Sequence, residues 1–242
     1  MKFNAKKSRS MVLKKGKQNT RFRFSVGGEL IPMVSEQPIK YLGKVFDGSG
    51  KDIQNVKDTD NLLGMWLEKI EKSDLPGKFK AWCFQHGVLP RILWPLMVYE
   101  VPMSKVEAMK RKISGKLRKW LGLPPAFTNI GLYGRDTKLQ LPFSSLNEEF
   151  RVTKARATLT LEESKDACVR QAGIQLRSGR KWSAQSAIED ASVRLKHHDL
   201  VGATCVGRQG LGYGKNKHQR WDGAEKPERR TMIGDEIRKI EE

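Results

Sequence analysis

The sequence predicts an α+β chain, mainly helical, in which an N-terminal antiparallel β-meander leads into a helical bundle and a helical C-terminal extension. Three observations carry that expectation. The first fifty residues hold short β-favouring runs interrupted by a Gly-Gly pair; from Lys51 the apolar residues recur at helical spacing; and Pro, Gly and capping residues punctuate the later helices.

Ser10–Leu13 and Arg21–Val26 are the first strand signals. In the second, Phe22, Phe24 and Val26 alternate with Arg21, Arg23 and Ser25, which predicts one buried face and one cationic face. Gly27-Gly28 signals a two-residue hairpin into Glu29–Val34, where Pro32 marks an edge or a strand end. Ile39–Phe46, IKYLGKVF, supplies a further short strand.

From Lys51 onward Ile53, Val56, Leu63, Leu67 and Ile70 fall on one helical face, widened by Leu62 and Trp66. Ser73-Asp74 before Leu75-Pro76 predicts a helix restart, after which Phe79, Trp82, Cys83 and His86 follow helical spacing as core positions. Pro90 and Pro95 each remove a backbone donor and predict a kink or two shorter helices. Ser104 and Glu107 form a capping-box pattern ahead of the stripe Val106, Met109, Ile113, Leu117, Trp120 and Leu121. Gly122 and Pro124-Pro125 end that helix, and Lys105, Lys112, Lys116 and Lys119 give it a basic opposite face. Ser145 and Glu148 repeat the capping pattern for a helix to about residue 163, with Ala167–Ala172 as its continuation. Ser183–Leu200 carries a narrow apolar face of Ala184, Ala187, Ile188, Ala191 and Leu195. Residues 202–231 read as an exposed connector to a last short helix bearing Met232, Ile233, Ile237 and Ile240. The expected organisation is therefore 1–50, β-meander; 51–123, helical unit; 124–201, helical extension; and 202–242, basic connector and terminal helix.

At 242 residues, with 38% hydrophobic and 30% charged side chains, the chain is long enough to bury a core without disulfides or metals. Cys83, Cys168 and Cys205 are odd in number and far apart, and MKFNAKKSRS lacks the apolar centre of a secretory signal. These features predict an intracellular protein, nuclear or cytoplasmic, and not a secreted one. The longest apolar run, Val88–Val101, is broken by Pro90, Arg91, Pro95 and Glu100, so no membrane span is expected.

The formal charge of +19 points to a polyanionic partner. Lys2, Lys6, Lys7, Arg9, Lys14, Lys15, Lys17, Arg21 and Arg23 all precede the first acid, Glu29. Cations spaced along strands and a hairpin follow a phosphate backbone, and Lys112, Lys116 and Lys119 add a second basic face. The candidate nucleic-acid-binding residues are thus Lys7, Arg9, Lys14, Lys15, Arg21, Arg23, Lys112, Lys116 and Lys119. No convergent catalytic set is evident. His197, His198, Cys205 and His218 match no common zinc spacing, so neither a metal nor a cofactor is expected. The glycine run Gly207, Gly210, Gly212 and Gly214 reads as a flexible basic loop. Trp66, Trp82, Trp94 and Trp120 are assigned to the core, and Trp182 and Trp221, flanked by charge, to the surface as stacking candidates.

With these residues in hand, the chain resembles the C-terminal part of the reverse transcriptases of non-LTR retrotransposons, the LINE and jockey-like elements. The likeness runs through most of residues 1–123. In MKFNAKKSRSMVL, Asn4 and Lys7 match a segment in which an asparagine precedes a lysine by three positions before a strand. IKYLGKVF is similar to the primer-grip hairpin, with Tyr41, Leu42 and Gly43 in the matching places. KFKAWCFQHGVLPRILWPLMVYEVP, followed by a helix ending RKWLGLPP, resembles the thumb.

The resemblance implies a role in holding a primer–template duplex. An intact family enzyme uses Mg held by carboxylates, yet this sequence contains no Asp-Asp pair, and the fingers and template-binding glycine motif are missing. The expectation is a truncated, noncatalytic remnant: palm edge plus thumb, binding RNA, DNA or an RNA–DNA duplex, and not an enzyme on its own. A polypeptide encoding the upstream palm is a further partner that this reading leaves room for. The competing expectation is a helical protein-interaction module whose basic surface serves solubility.

Overall fold

The computed structural model describes residues 4, 7–15, 17–41, 44–48, 51–134, 141, 143–207 and 221–239, with the backbone alone for 200–207. The fold is α+β and mainly helical, with short antiparallel strands first and helices after them. It divides into two compact units, residues 1–62 and 63–242.

In the first unit β1 (Leu13–Lys14) pairs with β2 (Lys17–Gln18), β3 (Phe24–Val26) with β4 (Glu29–Ile31), and β5 (Ile39–Tyr41) with β6 (Lys44–Phe46). The pairing is antiparallel, as expected, but it forms three separate hairpins instead of one continuous meander. IKYLGKVF is itself a hairpin, not a single strand. Gly27 and Gly28 both have positive φ, +59° and +82°, the backbone that a tight two-residue hairpin turn demands. Ser10 bridges to Met33: its N–H donates to Pro32 O and its carbonyl accepts from Val34 N, both at 3.0 Å. Ser10, Ile31, Met33 and Val34 are buried.

The expected buried face of residues 21–26 is not buried. Phe22, Phe24 and Val26 are exposed together with Arg21 and Arg23. A ribbon of two three-residue strands has two solvent faces unless another layer covers one, and among the described residues no third strand joins this one. Helix α1 (Ile53–Glu71) is fastened to β6 by Asn55, whose amide donates to Val45 O at 3.2 Å, and by the Lys44–Asp52 ion pair at 3.2 Å.

In the second unit α2 (Gly77–Cys83) runs through one π-helical turn (Phe84–Val88) into α3 (Leu89–Val98). Pro90 lies in the first turn of α3, where its missing donor costs little, and Pro95 lies inside it. Then come α4 (Met103–Trp120), α5 (Asn129–Tyr133), α6 (Leu146–Glu162), α7 (Ala167–Gln171), α8 (Ala184–Gly207) and α9 (Lys226–Lys239). α2 and α6 both pack on α4, and α3 packs on α6, so the segments 51–123 and 124–201 share a core. Gly77 makes the first of these contacts possible: a Cβ there would lie 1.6 Å from the Trp120 carbonyl oxygen.

The predicted stripe of α4 is buried from Val106 to Trp120, and its C-terminus closes as the glycine signal requires. Gly122, at φ +66°, donates to Lys119 O at 3.3 Å, and Leu123 N donates to Arg118 O at 2.9 Å. The capping boxes are not formed. α4 starts at Met103, whose N–H donates to Ser178 O at 2.9 Å, and Glu107 binds Lys181 instead of reaching back. Ser145 is at the N-cap of α6 without a capping side-chain bond, while Glu148 pairs with Arg238 at 3.3 Å. In both helices a cation distant in sequence takes the carboxylate that local pattern assigns to the cap.

Lys154 is a buried lysine that periodicity did not single out. At 2% exposure, its Nζ donates to Met97 O (2.8 Å) and Tyr99 O (3.0 Å), satisfying carbonyls at the end of α3. α8 extends beyond Leu200 into the expected connector, and α9 begins at Lys226, before the predicted Met232. Met232, Ile233, Ile237 and Trp221 bury against Val152, Ala155, Leu159, Ala187, Ile188, Ala191 and Leu195. The terminal helix is therefore docked. Ile240 and the glycines at 210, 212 and 214 lie outside the described residues.

Candidate nucleic-acid interface

The hairpins of the first unit present most of the sequence-predicted cations. Lys7, Lys14, Lys15 and Arg21 are exposed, and Lys15 occupies the left-handed region (φ 51°) in the turn joining β1 to β2. Arg9 is half-buried, its Nε donating to Gln37 O at 2.9 Å and its Nη1 to Ser8 O at 2.8 Å. Arg23 is engaged by Glu36 in a two-pronged pair, 2.7 and 2.5 Å, which draws that carboxyl below its ordinary range. Tyr41 is exposed at the end of β5; Leu42 and Gly43 lie outside the described residues. Phe22, Phe24, Tyr41 and Phe46 are exposed in the same unit as these cations, and the alternation argument missed two of these rings, Phe22 and Phe24, because it assigned them a buried face.

On α4 the predicted basic face is largely balanced. Lys116 binds Glu68 at 2.7 Å and lies 3.6 Å from Glu71, and Lys119 also pairs with Glu71. Trp120 Nε1 donates to Glu71 Oε2 at 2.5 Å. The hydrogen bonds from Lys119 and then Trp120 pull the Glu71 carboxyl down to about 2, against the opposing effect of burial. Lys112 is exposed on the same helix. The acids responsible lie on α1, about fifty residues earlier, and a reading of α4 in isolation does not place them there.

A neighbouring face of α4 holds an open cleft of about 570 Å³. Glu107, Lys110, Arg111, Ser114 and Arg118 line it at helical spacing, joined by Asn129 of α5, Asn147 of α6 and Lys181. Lys181 binds Glu107 at 2.5 Å, which lowers that carboxyl, helped by the nearby charges of Arg151 and Arg111. Arg118 Nε donates to Phe127 O at 2.8 Å and Nη2 to Asn129 Oδ1 at 2.7 Å. Beneath, Ser114 Oγ lies 3.0 Å from the Tyr133 hydroxyl, and burial pushes the Tyr133 phenol up to about 12.

Trp120 is buried as expected and Trp66 is half-buried, but four other tryptophan assignments do not hold. Trp82 (59%) and Trp94 (49%) are exposed, as is Phe79 (48%), whereas Trp221 is buried and Trp182 half-buried. The inward face of α2 and α3 is instead Ala81, Phe84, Val88, Leu89, Ile92 and Leu96. Both faces of this run are apolar, so periodicity alone does not choose between them. No helix among the described residues is long and apolar enough to cross a membrane. Comparison with known families, curated proteins and solved structures returned no match.

Proposed function

We propose that this chain binds nucleic acid through phosphate contacts from its first unit and catalyses no reaction of its own, as a noncatalytic remnant of an RNA-directed DNA polymerase. The observation that carries the binding is the exposure of Lys7, Lys14, Lys15 and Arg21 on a stretch whose first acid is Glu29. Arg23 is withdrawn by Glu36, and Lys116 and Lys119 by α1, so the hairpin cations rather than the α4 lysines provide the phosphate contacts. The polymerase ancestry rests on the residue resemblance, to which the β5–β6 hairpin on IKYLGKVF adds a matching local shape.

Titration of a labelled RNA–DNA duplex at several salt concentrations tests the binding. Four phosphate contacts give a log–log salt slope of about −3 to −4. Affinity indifferent to salt, or no binding at low salt, removes the mechanism. The fourfold charge reversal Lys7→Glu, Lys14→Glu, Lys15→Glu, Arg21→Glu abolishes the slope if the assignment is right.

One observation favours a second reading, a helical protein-interaction module. Phe79, Trp82 and Trp94 form an outward apolar series on the α2–α3 run, with exposed Leu75 just ahead of it, and a helix apolar on both faces is ordinarily covered on both. Under that reading the fourfold reversal leaves partner binding intact, and Trp82→Ala with Phe79→Ala removes it.

A further inference from the structure

The outward side of the α2–α3 run is a continuous ridge. Phe79, Trp82, His86, Pro90 and Trp94 are all exposed, each three or four residues after the last. Steps of four overshoot an α-helical turn of about 3.6 residues, so an uninterrupted α-helix winds such a row gradually off one face. The π-helical turn Phe84–Val88, closed by Leu89 N–H donating to Phe84 O, takes up the surplus and keeps the row together. From Phe79 to Trp94 the ridge is about 22 Å long. Phe79, Trp82 and Trp94 each keep about half of their surface in solvent, roughly 300 Å² together for rings of this size, which is the scale of a functional patch on a monomer.

The charges on this run have one sign. From Leu75 to Tyr99 the chain contains no aspartate or glutamate, against Lys78, Lys80 and Arg91. Lys80 is committed to the Glu71 carbonyl at 2.8 Å. Lys78 lies 5.1 Å from the centre of the Phe79 ring, a contact that leaves its charge intact, and Arg91 is exposed. Neither Lys78 nor Arg91 makes an ion pair among the described residues. Exposed tryptophan and arginine without acids is the composition of an interface centre. The sign of the charge then narrows the occupant. A second copy would set the same cations against themselves in a chain of formal charge +19. Residues 208–220, RQGLGYGKNKHQR, the longest segment outside the described residues, likewise carry cations and no acid. A nucleic-acid strand would meet two cations about 20 Å apart with apolar rings between them, too few for the closely spaced phosphates of a strand.

We infer that this ridge docks an acidic amphipathic helix of a partner protein, with Trp82 and Trp94 packing on its apolar face and Lys78 and Arg91 meeting the carboxylates that border that face. A straight helical ridge is matched along its length by another helix, whose anchors recur at the same spacing. The inference rests on the protein-interaction reading above and adds the partner's chemistry to it. It uses residues of the second unit alone, and it stands whether or not the hairpins bind nucleic acid.

The test titrates the full chain into three fluorescently labelled peptides. One is a helix with a leucine face bordered by glutamates, one has the same face bordered by lysines, and one is the glutamate peptide scrambled so that no apolar face forms. Fluorescence polarisation is expected to report saturable binding of the glutamate-bordered helix alone, weakening as salt rises. Trp82→Ala with Trp94→Ala is expected to lower that affinity about tenfold with little change in the melting transition. Lys78→Glu with Arg91→Glu is expected to transfer the preference to the lysine-bordered helix. If both helices bind equally and the tryptophan variant loses both, the acidic partner is overturned and the protein-interaction reading stands. If neither binds, the docking site and that reading fall together. Glutamate-helix binding that the tryptophan variant leaves untouched is attraction by the rest of the chain and overturns the inference. So does a single-stranded RNA bound by the parent and lost in the tryptophan variant, or a parent dimer that this variant dissociates, because either assigns the ridge to another occupant.

Discussion

The two charged faces of α4 carry similar numbers of cations and differ in what stands opposite them. On one, Lys116 and Lys119 meet Glu68 and Glu71, and the Trp120 indole joins the same carboxylate. On the other, Lys181 meets Glu107, and Arg118 is held by the Phe127 carbonyl and the Asn129 side-chain amide. Cation spacing on one helix therefore does not locate a binding surface. The groups contributed by neighbouring elements decide whether a basic stripe becomes a structural seam.

If the first face is a seam, changes there are read in stability. The largest effect is expected where backbones meet behind it. Gly77→Ala places a methyl group 1.6 Å from the Trp120 carbonyl oxygen, a contact that only displacement of α2 from α4 relieves. A loss of about 3 kcal/mol or more is expected in urea unfolding, at the upper end of single substitutions. A variant as stable as the parent breaks the claim that α2 and α4 are held in register at this point.

Glu71 comes next, because it gathers the seam together. Its carboxyl is held near 2 in the folded chain, against an ordinary 4.5. The sign is that of a depressed acid: its contribution is complete above about pH 4.5 and is lost as pH falls towards 2. Glu71→Gln is expected to cost about 1–3 kcal/mol at neutral pH and to flatten the acid limb of the stability profile. An unchanged limb places the acid sensitivity elsewhere, among the other paired carboxylates.

The seam also shows where sequence reading succeeds and where it stops. The span of α4, its buried stripe and its glycine stop are legible because they depend on residues within one or two turns of each other. The apolar face of α8 is legible for the same reason. What fails is whatever a residue distant in sequence settles. Glu107 and Glu148 fit a capping pattern, yet Lys181 and Arg238 claim them. Phe22 and Phe24 alternate as a half-buried strand does, yet no second layer covers them among the described residues. Lys154, which no local pattern singles out, becomes the anchor of α3. Of the predicted binding cations, Lys14, Lys15, Arg21 and Arg23 remain exposed, and Lys116 and Lys119 on α4 pair with acids on α1.

A smaller effect separates the seam from the exposed cations of the first unit. Lys116→Gln is expected to change RNA affinity by no more than about twofold while costing about 0.2–1 kcal/mol of stability, the range of an exposed or partly exposed pair. Lys14→Gln with Lys15→Gln should show the reverse: weakened binding with little change in the melting transition. Equal losses of affinity from both would erase the distinction between the α4 seam and the hairpin cations.

The smallest stability change is expected at Trp82, and it sharpens the comparison by extending it to tryptophans. Trp120 is buried, and its indole N–H is committed to Glu71, so Trp120→Ala should cost about 3–5 kcal/mol. Trp82 stands outward from α2, with its ring 5.0 Å from that of His86 and most of its surface in solvent. Removing it gives up one tilted aromatic contact and little burial, so Trp82→Ala should shift stability by less than about 1 kcal/mol. Both residues lie on helical apolar stripes in the sequence, and only the second element packed against α4 distinguishes them. A Trp82→Ala variant as damaged as Trp120→Ala would mean that the α2–α3 outer face is covered in the folded protein, and would move the outward series from the surface to the core.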